Sequence, residues 1–169
     1  AVRLIQEITP AAVADYAHKM GLTTPLRPFP TLALGSSEVI PIELVSAYGI
    51  FANQGVLVKP ISITRVEDRF GNVLYESYSK RSEILSKATS YIMTNLLESV
   101  VNAGTGGRLR WKYQFNKPAA GKTGTTNDFT DAWFVGFTPA LTAALCVSLL
   151  AAGLLRRLTH IDETHSERT

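Results

Sequence analysis

The chain has 169 residues, of which 46% are apolar, with 17 basic and 14 acidic side chains for a formal charge of +3. That length suits one domain able to bury about 70% of the surface its unfolded chain exposes, and the apolar share excludes wholesale disorder. The charge excess is too small and scattered for a polyanion-binding protein: its densest run, Arg108, Arg110, Lys112 and Lys117 with Trp111 and Tyr113 between them, lies in no recognised nucleic-acid module and reads as a solvated loop.

The chain enters directly on a helical pattern over residues 2–8, with no initiator Met, signal peptide or anchor ahead of it, and reads as cut from something longer. A helix is predicted over 10–20, capped by Thr9, with Pro10 at its first position and Gly21 after its last turn. Its inward face is expected to carry Val13, Tyr16, Ala17 and Met20. A polar, Pro-rich connector over 23–30 leads into 31–39, which reads as a loop. The second helix runs over 41–53 on a stripe of Leu44, Val45, Tyr48, Phe51 and Ala52, and Gly55 stops it. Ile40 stands where a capping Ser or Thr is expected, an omission that costs about 1 kcal/mol.

The period then changes. Ile61, Ile63 and Arg65 alternate with Ser62 and Thr64 as a half-buried strand, Arg69-Phe70-Gly71-Asn72 supplies a turn, and Val73-Leu74-Tyr75 returns as the second strand of a hairpin. Ser86 caps a third helix over 87–102, with Tyr91, Ile92, Met93, Leu96 and Val100 inward, and Gly104-Thr105-Gly106-Gly107 ends it. Two strands follow, over 119–125 and 131–137, joined by a polar turn at 126–129, and Thr138-Pro139 turns into a third apolar run from Leu141. The expected fold class is α+β, with helices packed on an antiparallel sheet.

Residues 140–155 form an uncharged run of sixteen before Arg156-Arg157, short of the roughly 20 that a membrane-crossing helix requires. A buried strand leading into a core helix is predicted there, with a polar tail over 159–169. Cys146 is the one cysteine, which excludes an internal disulfide, and His18, His160 and His165 lack metal-ligand spacing. No metal and no other cofactor is expected.

The segment richest in chemistry is Gly121-Lys122-Thr123-Gly124-Thr125-Thr126. On a strand, Lys122 and Gly124 face one side and Thr123 and Thr125 the other. If the strand lies at a sheet edge, its backbone can take an extended peptide as one more strand, and Gly124 lets that peptide approach closely. The Lys122 charge and the threonine hydroxyls suit a ligand ending in a free carboxylate. A rival reading uses the same letters: residues 116–123 stand one mismatch, Asn116 for Gly, from the phosphate-binding loop G-x-x-x-x-G-K-[ST]. That loop has to follow a buried strand and open a helix, and the flanking residues here predict neither.

Lys122-Thr123-Gly124 is also the third motif of the set S-x-x-K, S-x-N and K-T-G. The whole stretch from Ala120 to Pro139 is similar to that motif and the strand after it in class A (bifunctional) penicillin-binding proteins. Leu32-Ala33-Leu34-Gly35, the segment from Glu43 to Gly55, Val66-Glu67-Asp68 and Gly104-Thr105-Gly106 agree in the same order. The resemblance covers residues 2 to about 143 and implies part of the serine β-lactamase/penicillin-binding-protein transpeptidase fold. It implies residues 1–143 as the C-terminal portion of a transpeptidase domain, and 144–169 as a divergent apolar run and polar tail.

The activity it implies is D,D-transpeptidation in peptidoglycan cross-linking, by serine acyl transfer on D-Ala-D-Ala stem peptides. Lys122 and Thr125 would be catalytic: Lys122 in the proton network around the nucleophile, and the Thr125 N–H as one of two oxyanion donors. Lys122, Thr123, Gly124 and Thr125 would bind the substrate or a β-lactam that mimics it. Asp131, Trp133 and Phe134 match the pattern too, with packing as their expected work.

No Ser-x-Asn occurs in the chain, and the one formal Ser-x-x-Lys, Ser77-Tyr78-Ser79-Lys80, follows a predicted hairpin rather than opening a buried helix. It reads as coincidence. The true motifs are expected upstream of Ala1, which would leave these residues inactive alone. The parent would carry a glycosyltransferase domain and an N-terminal anchor, its only link to the membrane, and stand at the periplasmic or extracellular face of the bacterial inner membrane. Its partners would be stem peptide and β-lactams, with no nucleic acid. The other readings are a non-catalytic remnant that binds acid-ended peptides, and the nucleotide-binding protein of the rival motif.

Overall fold

The structure, a computed structural model, describes residues 1–125 and 131–148. Helix α1 (Val2–Ile8) and helix α2 (Pro10–Lys19) meet at Thr9, whose Oγ1 accepts the Ala12 N–H at 3.4 Å while Pro10 opens α2. Gly21, at φ +102°, closes α2 in a conformation that glycine adopts without strain. Ala14 is the buried residue of α2; Tyr16, expected inward, lies on the flank and donates its hydroxyl to the Ile84 carbonyl at 3.1 Å. The region expected to be loop holds a 3-10 turn, Pro30–Leu34, closed by Gly35.

Helix α3 (Pro41–Ala52) starts without a side-chain cap at Ile40, as its sequence requires, and the Ile40 carbonyl takes the N–H groups of Glu43 and Leu44 instead. The Glu43 carboxylate reaches back to the connector, accepting the Thr23 N–H at 2.9 Å and the Thr23 hydroxyl at 2.7 Å. Those two bonds, the backbone one foremost, hold the Glu43 carboxyl below its usual range. The expected stripe of α3 is half-buried, and the residues most deeply enclosed are Ala47 and Ile50. The reason is that α3 packs at once against the helix over Lys87–Asn102 and the strands Val56–Val58, Asp131–Phe137 and Thr142–Ser148, so more than one face is covered.

Strand β1 (Val56–Val58) pairs with β4 (Arg81–Glu83), a strand its polar residues did not announce. Strands β2 (Arg65–Glu67) and β3 (Val73–Glu76) form the expected hairpin, but its first strand begins at Arg65 rather than covering residues 61–65. The turn decides this. Asp68 Oδ1 accepts from the N–H groups of Phe70 and Asn72, at 2.8 and 2.9 Å, and Oδ2 from the Asn72 amide at 2.8 Å. Counting outward from that turn, residue pairing reaches Arg65 opposite Glu76, and one last backbone bond, from the Ser77 N–H to the Thr64 carbonyl at 2.8 Å, closes the ladder short of Ile61 and Ile63. The Asn72 side chain, then its backbone, hold the Asp68 carboxyl low.

Helix α4 (Lys87–Asn102) has the expected limits, with the Ser86 hydroxyl accepting the Thr89 N–H at 3.1 Å. Its buried face differs from expectation: Ser90, Leu97 and Val101 are enclosed, while Tyr91, Ile92 and Leu96 are 73%, 60% and 56% exposed. Both flanks of this helix are apolar, so periodicity alone could not choose between them. Ser90 is tolerated inside because its hydroxyl donates to the Phe51 carbonyl at 3.1 Å.

A one-turn helix, α5 (Arg108–Trp111), leads toward an antiparallel sheet of order β5-β6-β7: β5 (Ala120–Thr125), β6 (Asp131–Phe137) and β7 (Thr142–Ser148). Strand β7 stays in register with β6 across residues 143–144, from Phe137 opposite Thr142 to Asp131 opposite Ser148. Leu97 of α4, Ala120 of β5 and Phe137 of β6 form one cluster of the core, with Tyr48, Phe51 and Ala52 of α3 packed against it. Phe51 lies 6.0 Å from Tyr48, edge-on, and 6.3 Å from Phe137. The polar turn at 126–129, the helix expected beyond β7 and the polar tail lie outside the described residues.

Candidate functional site: an open strand edge

Strand β5 begins in the core and ends in solvent. Ala120 and Gly121 are buried, Thr123 is half-buried, and Lys122, Gly124 and Thr125 are exposed. One side of β5 pairs with β6, from Ala120 opposite Phe137 to Thr125 opposite Ala132, and among the described residues no strand pairs with the other side. All four predicted site residues, Lys122, Thr123, Gly124 and Thr125, therefore stand on the outer two-thirds of one edge strand. Such an edge offers backbone donors and acceptors to an extended peptide without needing an enclosed pocket.

Two glycines of this strand do different work. A Cβ at Gly121 would stand 2.7 Å from the Val135 carbonyl oxygen and 2.8 Å from the Phe134 ring, so packing demands the glycine. The Phe134 ring lies across Gly121 and its cross-strand neighbour Gly136, which gives Phe134 the packing role expected of it. A Cβ at Gly124 would meet only Trp133 Cβ, at an ordinary 3.6 Å. The fold does not require that glycine, and its bare backbone leaves the edge approachable.

The Lys122 ammonium donates to the Thr123 carbonyl at 2.7 Å, so the positive charge is laid along the strand. The Thr123 hydroxyl stands 2.7 Å from the hydroxyl of Thr105, in the turn that follows α4. Residue patterns give the Thr105 side chain no role of its own; its place between glycines just past a helix end, in a stretch that matches the family, is the available signal. Arg110, expected in a solvated loop, is instead a brace. Its guanidinium donates to Asn102 Oδ1 at 2.9 Å and to the carbonyls of Phe115 and Lys117, fixing the segment that delivers the chain into β5.

The phosphate-loop alternative is corrected by this geometry. Gly121, Lys122 and Thr123 lie inside an antiparallel strand, so no loop wraps a phosphate and no helix N-terminus faces one. The formal Ser77–Lys80 match lies between β3 and β4, away from any helix start. A cleft of about 130 Å³, bounded by Phe51, Glu98, Pro118 and Phe137 among others, borders the buried end of β5 rather than Lys122–Thr125. Among the described residues, no three His, Cys, Asp or Glu side chains are grouped to hold a metal ion.

Comparison with known proteins gives the arrangement a context. Residues 28–153 match the model of the penicillin binding protein transpeptidase domain. Penicillin-binding protein 1A of Aquifex aeolicus is 40% identical over 147 residues, 87% of this chain and 20% of that protein. The chain thus spans about a fifth of the length of the curated relatives it matches. Among solved structures, penicillin-binding protein 1A from Haemophilus influenzae superposes with a TM-score of 0.77 at 22% identity, covering 85% of this chain and 27% of that one. PonA1 from Mycobacterium tuberculosis in complex with penicillin V gives 0.74 at 28% identity, covering 87% and 43%.

Proposed function

Because the chain belongs to the penicillin-binding-protein transpeptidase family, we propose that it is the substrate-strand portion of a serine D,D-transpeptidase that cross-links peptidoglycan. The observation that carries this reading is the exposed β5 edge with Lys122, Thr123, Gly124 and Thr125 in sequence along it. An extended stem peptide ending in D-Ala-D-Ala adds beside β5, its terminal carboxylate meeting the hydroxyls of Thr123 and Thr125 and the charge of Lys122. A β-lactam, which also carries a carboxylate beside a reactive carbonyl, occupies the same edge, in keeping with the penicillin V complex of PonA1.

The chemistry is acyl transfer. A serine oxygen supplied by polypeptide outside residues 1–169 attacks the D-Ala-D-Ala carbonyl and loses its proton to a neighbouring base. The C–N bond then breaks, and the departing D-Ala amine takes up a proton. A stem-peptide amine next attacks the acyl-serine ester, forming the cross-link amide and restoring the serine. While the carbonyl oxygen carries negative charge, the Thr125 N–H donates to it, and losing one such donor raises a barrier by about 3 kcal/mol. Lys122 favours the carboxylate and keeps the proton network near the serine charged in the right sense.

No Ser-x-Asn lies within these residues, so the chain alone is expected not to acylate. The parent would add a glycosyltransferase domain and an anchor placing it at the outer face of the bacterial inner membrane. Among the described residues, no helix is long and apolar enough to cross a membrane.

Labelled penicillin tests the proposal. A polypeptide joining this segment to a Ser-x-x-Lys serine and a Ser-x-Asn should be labelled covalently, and the 169-residue chain should not. Labelling of the chain itself would place a nucleophile within it, with Ser77 first to be checked by mass spectrometry. If neither is labelled, yet the chain binds acid-ended peptides, it is a binding remnant.

A further inference from the structure

We infer that Thr105 is a positioning residue for the peptide acid: its hydroxyl donates to Thr123 Oγ1 and so leaves the Thr123 proton for the ligand carboxylate. This rests on the reading of β5 as the strand that receives acid-ended peptides. The two hydroxyl oxygens are 2.7 Å apart, the usual length of an O–H···O bond, and either can be the donor. A hydroxyl has one proton and two acceptor sites. If Thr123 donates to Thr105, its proton is committed and it turns lone pairs toward an arriving anion. If Thr105 donates, Thr123 keeps its proton, and its polarity is strengthened by the bond it accepts. An anion at β5 selects the second order, and the Thr105 hydroxyl makes that order available.

The frame around Thr105 suits this work. It is the one residue of the run Gly104-Thr105-Gly106-Gly107 with a side chain. The N–H groups of Gly104 and Gly106 both donate to the Val100 carbonyl, at 3.1 and 3.0 Å, and the Gly107 N–H to the Gly104 carbonyl at 3.0 Å. A Cβ at Gly104 would stand 2.9 Å from Val100 Cα and from the Val100 carbonyl oxygen, and one at Gly106 3.2 Å from that same oxygen. The turn is therefore folded tightly onto the last turn of α4, with no room for a side chain at Gly104 and little at Gly106. Helix α4 is in turn fixed on β5 through Leu97 and Ala120. Both ends of the hydroxyl pair thus sit on well-held backbone, the condition for holding a donor direction closely.

The test titrates the 169-residue chain, by NMR or calorimetry, with a peptide ending in D-Ala-D-Ala and with the same peptide as its C-terminal amide. Wild type should prefer the acid. Thr105→Val, which keeps the shape without the hydroxyl, should lower that preference roughly three- to tenfold, the net weight of one hydrogen bond. Thr105→Ser should restore the preference, and affinity for the amide should stay level in all three. In a Thr123→Val background, Thr105→Val should do nothing more, because Thr105 acts through Thr123. The inference is overturned if Thr105→Val keeps the full acid preference, or if the Val and Ser variants weaken acid and amide alike, which marks a merely structural contact. A wild type without acid preference overturns the reading of β5 itself, and this inference with it.

Discussion

Lys122 shows how one side chain can be free of the fold and still be fixed in place. It is exposed, and its ammonium lies along the strand on the Thr123 carbonyl. Nothing in the core depends on it, so Lys122→Met should leave the thermal midpoint within about 1 °C, as expected for a surface substitution. Affinity for an acid-ended peptide should nevertheless fall by roughly tenfold, the lower end for a charge-assisted bond once solvent screening is allowed for. Affinity for the amide form should hardly move. Equal losses for the two peptides in calorimetry would show that the charge does not meet the carboxylate.

At the scale of elements, the two glycines of β5 separate folding from binding. Gly121→Ala pushes a methyl group to within 2.7 Å of the Val135 carbonyl oxygen, and a strand cannot yield there without shifting β6. It should destabilise the chain by about 2 kcal/mol, a typical cost of overpacking, seen as a lower denaturant midpoint. Gly124→Ala meets only ordinary contact, so its midpoint should match wild type while peptide affinity falls. The reverse pattern would mean that packing has been assigned to the wrong glycine. The same strand was the most legible part of the sequence, since its residue types, their alternation and the flanking turns agreed. Helix α4 was legible in its ends, which Ser86 and the glycine run mark, and illegible in its face, because Tyr91, Ile92 and Leu96 are as apolar as what is buried. Strand β4 was invisible because Arg81–Glu83 is polar and exposed, held by pairing with β1 alone. The bond between Thr105 and Thr123 could not be read either, although Thr105 stood in a matching stretch: a contact between residues eighteen apart exists only once α4 lies on β5.

For the whole molecule, two carboxylates order outlying pieces: Glu43 ties the connector to α3, and Asp68 closes the turn of the hairpin. Both carboxyls titrate lower in the fold than in the unfolded chain. Their stabilisation is therefore fully present above the unfolded value near 4 and is lost as pH falls through the lower folded value. On acidification from about pH 7 to about pH 3, the amide signals of Phe70 and Asn72 should shift toward their unfolded positions, while those of Leu97 and Ala120 hold. Asp68→Asn should remove the pH dependence at the hairpin. Hairpin amides indifferent to acid would show that Asp68 does not organise the turn.

Strand β5 can also be seen as a beam clamped at one end and projecting at the other. The clamp, at Ala120 and Gly121, admits almost no variation, whereas the projecting tip can change its chemistry with little penalty to the clamp. Adaptation of such a molecule to a new acid or a new inhibitor has an unobstructed route through the tip, while heat-sensitive lesions should gather at the clamp.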